Sequence, residues 1–488
     1  MPHNPTPEQQ AIIDAAVQTS ESILVNALAG AAKTTTLEMI CNALPPQPIL
    51  SLAFNKRIAD EMAKRLPGHV QARTLNSVGH RVWMQTCTGR VTLDTKKSYN
   101  LLKQKIDALP RQDRTDAYEA FGDMMKALGK AKMRGYVPDG KYPNAERLIT
   151  SDEFWDSIER EIQAFSEFEQ FIVNDALTES IRLAYAGLID FDDQIYMPTL
   201  FGGSFPRFPL VMCDEVQDLS SINHAMLEKL VTQRLIAVGD PYQSIYGFRG
   251  ARRSGMVALK ERFNMREMGL SISFRCPRVI VENARFRAPH MQYPDWAEQG
   301  LLQSLEEWDA QSIPDNAAII CRNNAPLFSL AFRLLRSGRG IKLVGFDIGS
   351  NLVRILKKLG PVTMLREQVE HQIDIWEREQ KLKSKAAATI SDKAECLRVF
   401  ASFGRSLGEA IIYADNLFKT QGPIQLLSGH KSKGLEWDTV FHLDPHRIPS
   451  PYSKEEDEIE QEHNVRYVIE TRAKKTMYLV KMEGFLDE

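Results

Sequence analysis

The chain has 488 residues, too many for one ordinary domain of about 100–200 residues. Its 43% hydrophobic and 25% charged residues, with no apolar run near the ~20 residues of a membrane span, exclude a helical membrane protein. A net charge of −2 excludes a uniformly basic nucleic-acid binder, although basic residues can still be confined to one groove. The opening MPHNPTPEQQ lacks the basic-then-apolar pattern of a signal peptide, so a cytoplasm-like compartment is expected. Six scattered cysteines form no CxxC pair; a zinc ribbon is excluded, and reduced thiols are expected.

The first ~85 residues alternate apolar runs with amphipathic stretches, the pattern of a parallel α/β sheet. A strand is predicted over Ser22–Leu28, then a helix over Thr34–Ala43 closed by Pro45 and Pro46. A second strand over Ile49–Phe54 and a second helix over Lys56–Leu66 follow. Residues 88–185 are rich in Lys, Asp, Glu, Ala and Leu and read as mostly helical. Strands return at Leu210–Cys213, Leu235–Val238, Ala317–Cys321, Ile341–Phe346, Gln425–Leu427, Thr439–Leu443 and Thr476–Val480. A second helical interval spans 348–420, and the charges of Arg366–Lys385 predict a solvated helix there.

Two segments carry chemistry on their own residues. In Asn26–Thr35 a strand runs through Ala29, Gly30, Ala31 and Ala32 into Lys33, Thr34, Thr35 and a helix. Small residues let backbone N–H groups approach phosphate oxygens, and the helix N-terminus favours an anion. Lys33 suits β- and γ-phosphates and the Thr34 hydroxyl suits Mg²⁺, so ATP and Mg²⁺ are the expected cofactors. The segment departs from G-x-x-x-x-G-K-[ST], because Ala27 and Ala32 hold both defining glycine positions; either would be strained at positive φ. Downstream, the apolar run Leu210–Cys213 delivers Asp214 and Glu215 to a strand end. Asp214 suits the metal, and Glu215 the orientation or deprotonation of an attacking water.

Val238-Gly-Asp-Pro-Tyr-Gln-Ser-Ile-Tyr-Gly-Phe-Arg-Gly-Ala251 resembles motif III of the UvrD/Rep/PcrA group of superfamily 1 helicases. Further segments resemble that family in the same order: Thr6–Gln10 (Q motif), Leu52–Lys56 (Ia), Thr74–Ser77, Gly187–Asp193, Ser273–Pro277 (IV), Cys321–Asn324, Ser428–Trp437 (V) and Tyr467–Lys474 (VI). The wording is closest to the phage UvrD-like and F-box DNA helicase branch.

The resemblance implies an α/β fold with two RecA-like parallel-sheet motor domains, each carrying a mostly helical insertion. Motor domain 1A would comprise 1–87 and 186–270 around insert 1B (88–185). Motor domain 2A would comprise 271–340 and 421–488 around a reduced insert 2B (341–420). It implies adenine contact for Gln9, stacking for Phe274, and a nucleotide contact for Glu436. Gln243 would sense the γ-phosphate, and Arg275 and Arg472 would neutralise it across a cleft that ATP closes. Phe54, Tyr246 and Phe248 would stack on or buttress DNA bases, while Arg249 and His430 would contact phosphate or couple the DNA and ATP sites.

The implied activity is 3′-to-5′ movement along single-stranded DNA, coupled to hydrolysis and duplex unwinding. Expected partners are single-stranded DNA and its junctions with duplex, bound by a monomer, with single-strand-binding or recombination proteins as further candidates and no membrane. The expected setting is the cytoplasm of a prokaryotic or phage-infected cell. Two alternatives remain at this stage: a translocase that strips proteins without robust unwinding, and a nucleotide-gated DNA-binding subunit of a larger complex.

Overall fold

Strand-forming and helix-forming segments alternate along the chain, and the apolar runs collect into two parallel sheets. The computed structural model describes residues 4–487 apart from 88, 246–253, 346–347 and 384–385. By internal contacts the chain divides into two units, one holding the residues up to Ala27 with Ala32–Leu270, the other Leu28–Ala31 with Ser271 onward.

The first unit opens on a helix, Pro7–Gln18, set by a capping box between Thr6 and Gln9 with Pro7 at the first helical position. Its sheet is built from β1 (Ile23–Ala27), β2 (Ile49–Leu52), β3 (Val70–Arg73), β6 (Phe208–Cys213), β7 (Val231–Gly239) and β8 (Arg266–Leu270). The order is β3-β2-β6-β7-β1-β8, and every pairing is parallel. A two-stranded pair, β4 (Thr92–Leu93) with β5 (Leu188–Ile189), brackets the helices Lys97–Asp107, Arg111–Glu119, Phe121–Arg134, Ser151–Glu161 and Glu167–Tyr185. Their apolar faces join the sheet in one core that includes Trp83, Phe154, Tyr196 and Leu235.

The second unit carries β9 (Leu301–Leu305), β10 (Trp308–Asp309), β11 (Ala318–Cys321), β12 (Ile341–Leu343), β13 (Ile424–Ser428), β14 (Trp437–Leu443), β15 (Ala473–Val480) and β16 (Phe485–Leu486). Six of them form a second all-parallel sheet, β12-β13-β11-β14-β15-β9; β10 pairs with β16. Helices Ile348–Leu359, Arg366–Lys383, Ala387–Phe403 and Leu407–Leu417 lie between β12 and β13 in the chain. The charged Arg366–Lys383 helix is less solvated than its composition predicts. Val369 and Ile373 are buried in the core with Leu397 and Phe400, so only part of its surface meets water.

A buried ionic cluster joins the helices of residues 97–185 to the segment Asp190–Asp193. Lys97 Nζ donates to Asp193 Oδ2 (2.6 Å) and to the Ser180 carbonyl (2.7 Å). Lys132 Nζ reaches Asp190 Oδ2 (2.6 Å) and lies 2.8 Å from Asp193 Oδ1. Burial alone would raise the Asp190 carboxyl, but the Lys132 ammonium and the Ser98 hydroxyl outweigh it and hold it down at about 2. Because this pKa is depressed, the Asp190 contribution is complete above the ordinary aspartate range and is lost as pH falls through about 2. Lys132→Met should cost about 3–5 kcal/mol, because it leaves the buried Asp190 carboxylate without its ammonium while Asp193 keeps Lys97. Chemical denaturation at neutral pH checks this value; a loss below about 1 kcal/mol would show that the cluster is solvated.

Candidate nucleotide site

In the first sheet, β1 lies beside β7 and β7 beside β6, with Asn26 level with Gly239 and Ala237 level with Cys213. The three strand ends therefore open onto one carboxyl-terminal edge, where open parallel sheets bind ligands. From β1 the chain turns through Gly30 (φ +75°) and reaches Ala32 at φ 55°, ψ 43° before the helix Lys33–Ala43. Glycine adopts that left-handed region freely, whereas alanine there costs about 1–2 kcal/mol. The concern about Ala32 thus has a geometric basis; Ala27 ends β1 and carries no such strain.

Ala32→Gly should stabilise the protein by about 0.5–1 kcal/mol, the relief of strain less the entropy of an added glycine, and raise its melting temperature by roughly 1–4 °C. Nucleotide binding should tighten or stay unchanged. Calorimetric melting with nucleotide titration checks both, and a weaker affinity would mean that the loop is tuned to alanine.

Behind that loop the two chemically suggestive segments meet. The Thr34 hydroxyl donates to Asp214 Oδ2 (2.8 Å), and Lys33 Nζ lies 3.6 Å from Glu215 Oε1. Glu215 sits in the left-handed region (φ 54°), with its backbone N–H on Asp214 Oδ1 (2.8 Å). Backbone strain of this kind collects at functional sites. Burial, reinforced by the Glu215 charge and opposed by Lys33, pushes Asp214 up to about 6.

Two residues not singled out by sequence extend the network. Gln217 donates its amide to Glu215 Oε2 (2.5 Å) and accepts the Asp240 backbone N–H (3.1 Å). Gln243 donates to Asp240 Oδ2 (2.7 Å). Burial raises Asp240, against the pull of Lys33. Asp240 lies inside the Val238–Ala251 segment, so its acidity beside Gln243 was the available signal; Gln217 had none.

The donor set fits a divalent cation. A buried carboxylate whose pKa is raised by burial, with a hydroxyl donating to it, gains from a neighbouring positive charge. Among the described residues no group of three or more His, Cys, Asp or Glu side chains is arranged to hold a metal. Mg²⁺ takes one or two protein oxygens and completes its shell with phosphates and water, a demand that the Thr34 hydroxyl and Asp214 carboxylate match.

Gln9 is buried and donates to the Thr36 hydroxyl (3.0 Å) while its Oε1 accepts the Thr6 N–H (3.0 Å). One amide N–H and one lone pair remain for a base edge. Phe54 follows β2 at the same sheet edge and is 49% exposed. Close by in the chain's folding, Asn76 donates to the Phe191 carbonyl (3.0 Å) and to Gln194 (3.1 Å). Phe191, 58% exposed, is a further aromatic candidate that the sequence reading missed; its only signal was an aromatic set among three aspartates. Tyr246, Phe248 and Arg249 lie outside the described residues.

In the second unit Arg275 Nε pairs with Glu436 Oε2 at 2.6 Å, which brings two predicted nucleotide contacts together. Arg472 is buried and directs its guanidinium to the carbonyls of Val468 (2.7 Å) and Leu435 (3.3 Å) and to Thr471 Oγ1 (3.0 Å). Phe274 is 37% exposed. Its backbone N–H donates to the Gly30 carbonyl (2.9 Å), and the Ala29 N–H donates to the Tyr467 hydroxyl (2.9 Å), both within this unit.

His430 stands apart from this group. It follows β13 at the carboxyl-terminal edge of the sheet, whereas Glu436 and Arg472 precede β14 and β15 at the opposite edge. From Trp437 to Leu443 that separation is roughly 20 Å at about 3.3 Å per residue. Burial and the Arg322 cation push the His430 ring down to about 3, so at neutral pH it offers a hydrogen bond rather than a charge.

Beyond the geometry, comparison with known proteins finds two family models in this chain. The UvrD/REP helicase N-terminal domain matches residues 6–264, and the UvrD-like helicase C-terminal domain matches 355–484. The chain is 22% identical to F-box DNA helicase protein 1 of Schizosaccharomyces pombe, over 97% of its own length and 57% of that protein. It is 23% identical to ATP-dependent DNA helicase PcrA of Leuconostoc citreum, over 63% of this chain and 43% of that one. DNA helicase IV of Escherichia coli shares 25% identity, over 51% and 42%. The chain spans about half the length of the curated relatives it matches. The first sheet edge carries the candidate nucleotide site, where Lys33 and Thr34 meet Asp214 and Glu215. The chain belongs to the UvrD/REP helicase family.

The relatives include eukaryotic ones, so they do not choose a prokaryotic setting. Among the described residues no helix is long and apolar enough to cross a membrane.

Proposed function

We propose that this protein is an ATP-dependent DNA helicase or translocase that moves 3′-to-5′ along single-stranded DNA. The observation that carries the reading is the convergence of Lys33 and Thr34 with Asp214 and Glu215 at one sheet edge, in a chain of this family. Lys33 binds the β- and γ-phosphates and lowers the barrier by meeting charge that grows on the transferred phosphoryl group. Thr34 and Asp214 are the residues that would hold Mg²⁺, which would supply charge neutralisation on the phosphate oxygens. Ala29–Ala32 and Thr35 line the same phosphates by resemblance. Ala29 and Ala31 already donate their N–H groups to the Tyr467 hydroxyl (2.9 Å) and the Leu28 carbonyl (3.0 Å), so the amides offered are those of Gly30, Ala32 and Thr35.

Glu215 orients the attacking water and takes its proton. Gln217 links Glu215 to the Asp240 backbone, and Gln243 bonds the Asp240 carboxylate, so the two hold that geometry. Gln9 meets the adenine edge, Phe274 its face, and Glu436 positions Arg275. Arg275 and Arg472 are assigned to the γ-phosphate by resemblance. Phe54 and Phe191 offer stacking faces that tolerate any base sequence, which suits a tracking motor. His430 joins the DNA or coupling set as a neutral hydrogen-bonding group, and Tyr246, Phe248 and Arg249 complete the proposed DNA set by resemblance. The strand, its duplex junctions and single-strand-binding or recombination proteins are the proposed partners of a monomer.

Streptavidin displacement from biotinylated oligonucleotides tests the polarity. ATP-dependent displacement from the 5′ end alone supports 3′-to-5′ movement, and displacement from the 3′ end alone overturns it. Left-handed Ala32 favours a second reading, a nucleotide-gated DNA binder with little turnover. Its signature is tight binding of ATP and DNA without displacement from either end.

A further inference from the structure

Trp296 stands 70% exposed on a turn that is otherwise fixed. Arg278 clamps that turn from one side, donating Nε to the Ala297 carbonyl (2.8 Å) and Nη2 to the Asp295 carbonyl (2.5 Å). The Arg278 backbone N–H also donates to the Glu298 carbonyl (3.0 Å), and the guanidinium lies over the Tyr293 ring at 5.4 Å. The Ser273 N–H donates to the Gln292 carbonyl (2.8 Å), which binds this segment to the one carrying Phe274. A large indole held in water by a rigid backbone contributes little to the core. The backbone that carries it is set in advance of any ligand.

The indole lies beside Phe274, with ring centroids 6.3 Å apart and planes inclined by 28°. Phe274 is itself 37% exposed, and its N–H is bonded to the carbonyl of Gly30 in the phosphate loop. Two water-facing rings inclined by 28° thus sit next to the backbone of Gly30.

We propose that Trp296 is a nucleobase-stacking residue, forming with Phe274 a two-ring platform for the purine base of the bound nucleoside triphosphate. The inference rests on the reading that Phe274 meets the base, and adds the residue that sets preference for a purine over a smaller pyrimidine. A purine's larger π face covers more of a two-ring platform.

Equilibrium binding of ATP, CTP and inorganic tripolyphosphate to the full chain tests it, with Trp296→Ala, Trp296→Phe and Phe274→Ala compared. Trp296→Ala should weaken ATP about 5- to 100-fold, the range that loss of one base–aromatic stack produces. Trp296→Phe should recover most of that, CTP should change less, and tripolyphosphate should not change. If Trp296→Ala fails to fold, Trp296→Leu keeps bulk at the exposed position and removes the ring. ATP affinity within about twofold of the parent in the Trp296 variants, with Phe274→Ala impaired, overturns the inference and leaves the Phe274 reading standing. Unchanged ATP affinity in both overturns the Phe274 reading as well. Equal weakening of tripolyphosphate shows an effect on the loop and also overturns the inference.

Discussion

Lys33→Ala should lower ATP turnover by about 10³-fold or more, the scale on which a single cation at the transferred phosphoryl group acts. Two features make this effect large. Lys33 sits 3.6 Å from Glu215, so its removal takes a neighbouring cation away from that carboxylate. The same charge lowers both Asp214 and Asp240 against burial, so its loss pushes both carboxyls further toward the protonated form. A metal-binding carboxylate would thus be discharged together with the loss of phosphate neutralisation. Steady-state hydrolysis checks this, with thermal melting as the control for folding. Turnover within about tenfold of the parent in a folded variant would remove Lys33 from the site.

Glu215→Gln should separate binding from chemistry. A glutamine side-chain carbonyl can still accept the Gln217 amide, which now donates to Glu215 Oε2 at 2.5 Å, so the local geometry is kept. It cannot take a proton from water, and the rate should fall about 10²–10⁴-fold. The Glu215 charge is also the second cause, after burial, of the raised Asp214 carboxyl. Neutralising it lets Asp214 ionise more readily, so Mg²⁺-ATP should bind at least as well as before. The variant should accumulate as an ATP-bound complex on single-stranded DNA, measurable by filter retention of labelled nucleotide. Loss of Mg²⁺-ATP binding would instead place Glu215 among the metal ligands.

How far the sequence revealed the fold depended on where each strand lies in its sheet. Leu210–Cys213 and Ala317–Cys321 belong to central strands buried on both faces, and their unbroken apolar character announced them. Thr439–Leu443, also central, was announced by Val440, Phe441 and Leu443 despite His442. In the two six-stranded sheets three strands went unpredicted, Val70–Arg73, Arg266–Leu270 and Leu301–Leu305, and all three are sheet edges; the two-residue strands of the smaller pairs were missed as well. An edge strand is half wet, so Arg266-Glu-Met-Gly-Leu270 and Leu301-Leu-Gln-Ser-Leu305 carry too few apolar residues to stand out. The charged helix Arg366–Lys383 shows the complementary failure: two residues, Val369 and Ile373, anchor it, and charge counting hid them.

The candidate site was legible where one short segment holds a whole function. Lys33 with Thr34, and Asp214 with Glu215, are contiguous pairs, and the parallel strands bring the pairs together. What spacing could not show was the backbone: Ala32 and Glu215 are both left-handed, a property of φ that composition does not encode. Gln217 is a neutral side chain whose importance comes from its two hydrogen-bond partners. Phe191 escaped notice because its neighbours are the aspartates of the buried cluster, one of which anchors the segment from which the ring projects. Conversely, His430 and Glu436 are six positions apart in one motif, yet the chain carries them to opposite edges of the second sheet.

Steady-state ATP hydrolysis with and without single-stranded DNA, with Lys33→Ala alongside, tests the central claim most directly. The structure and family predict Mg²⁺-dependent turnover that DNA stimulates strongly and that disappears in the variant. Turnover indifferent to DNA, or none at all in protein that binds both ATP and DNA, would contradict a DNA-driven motor.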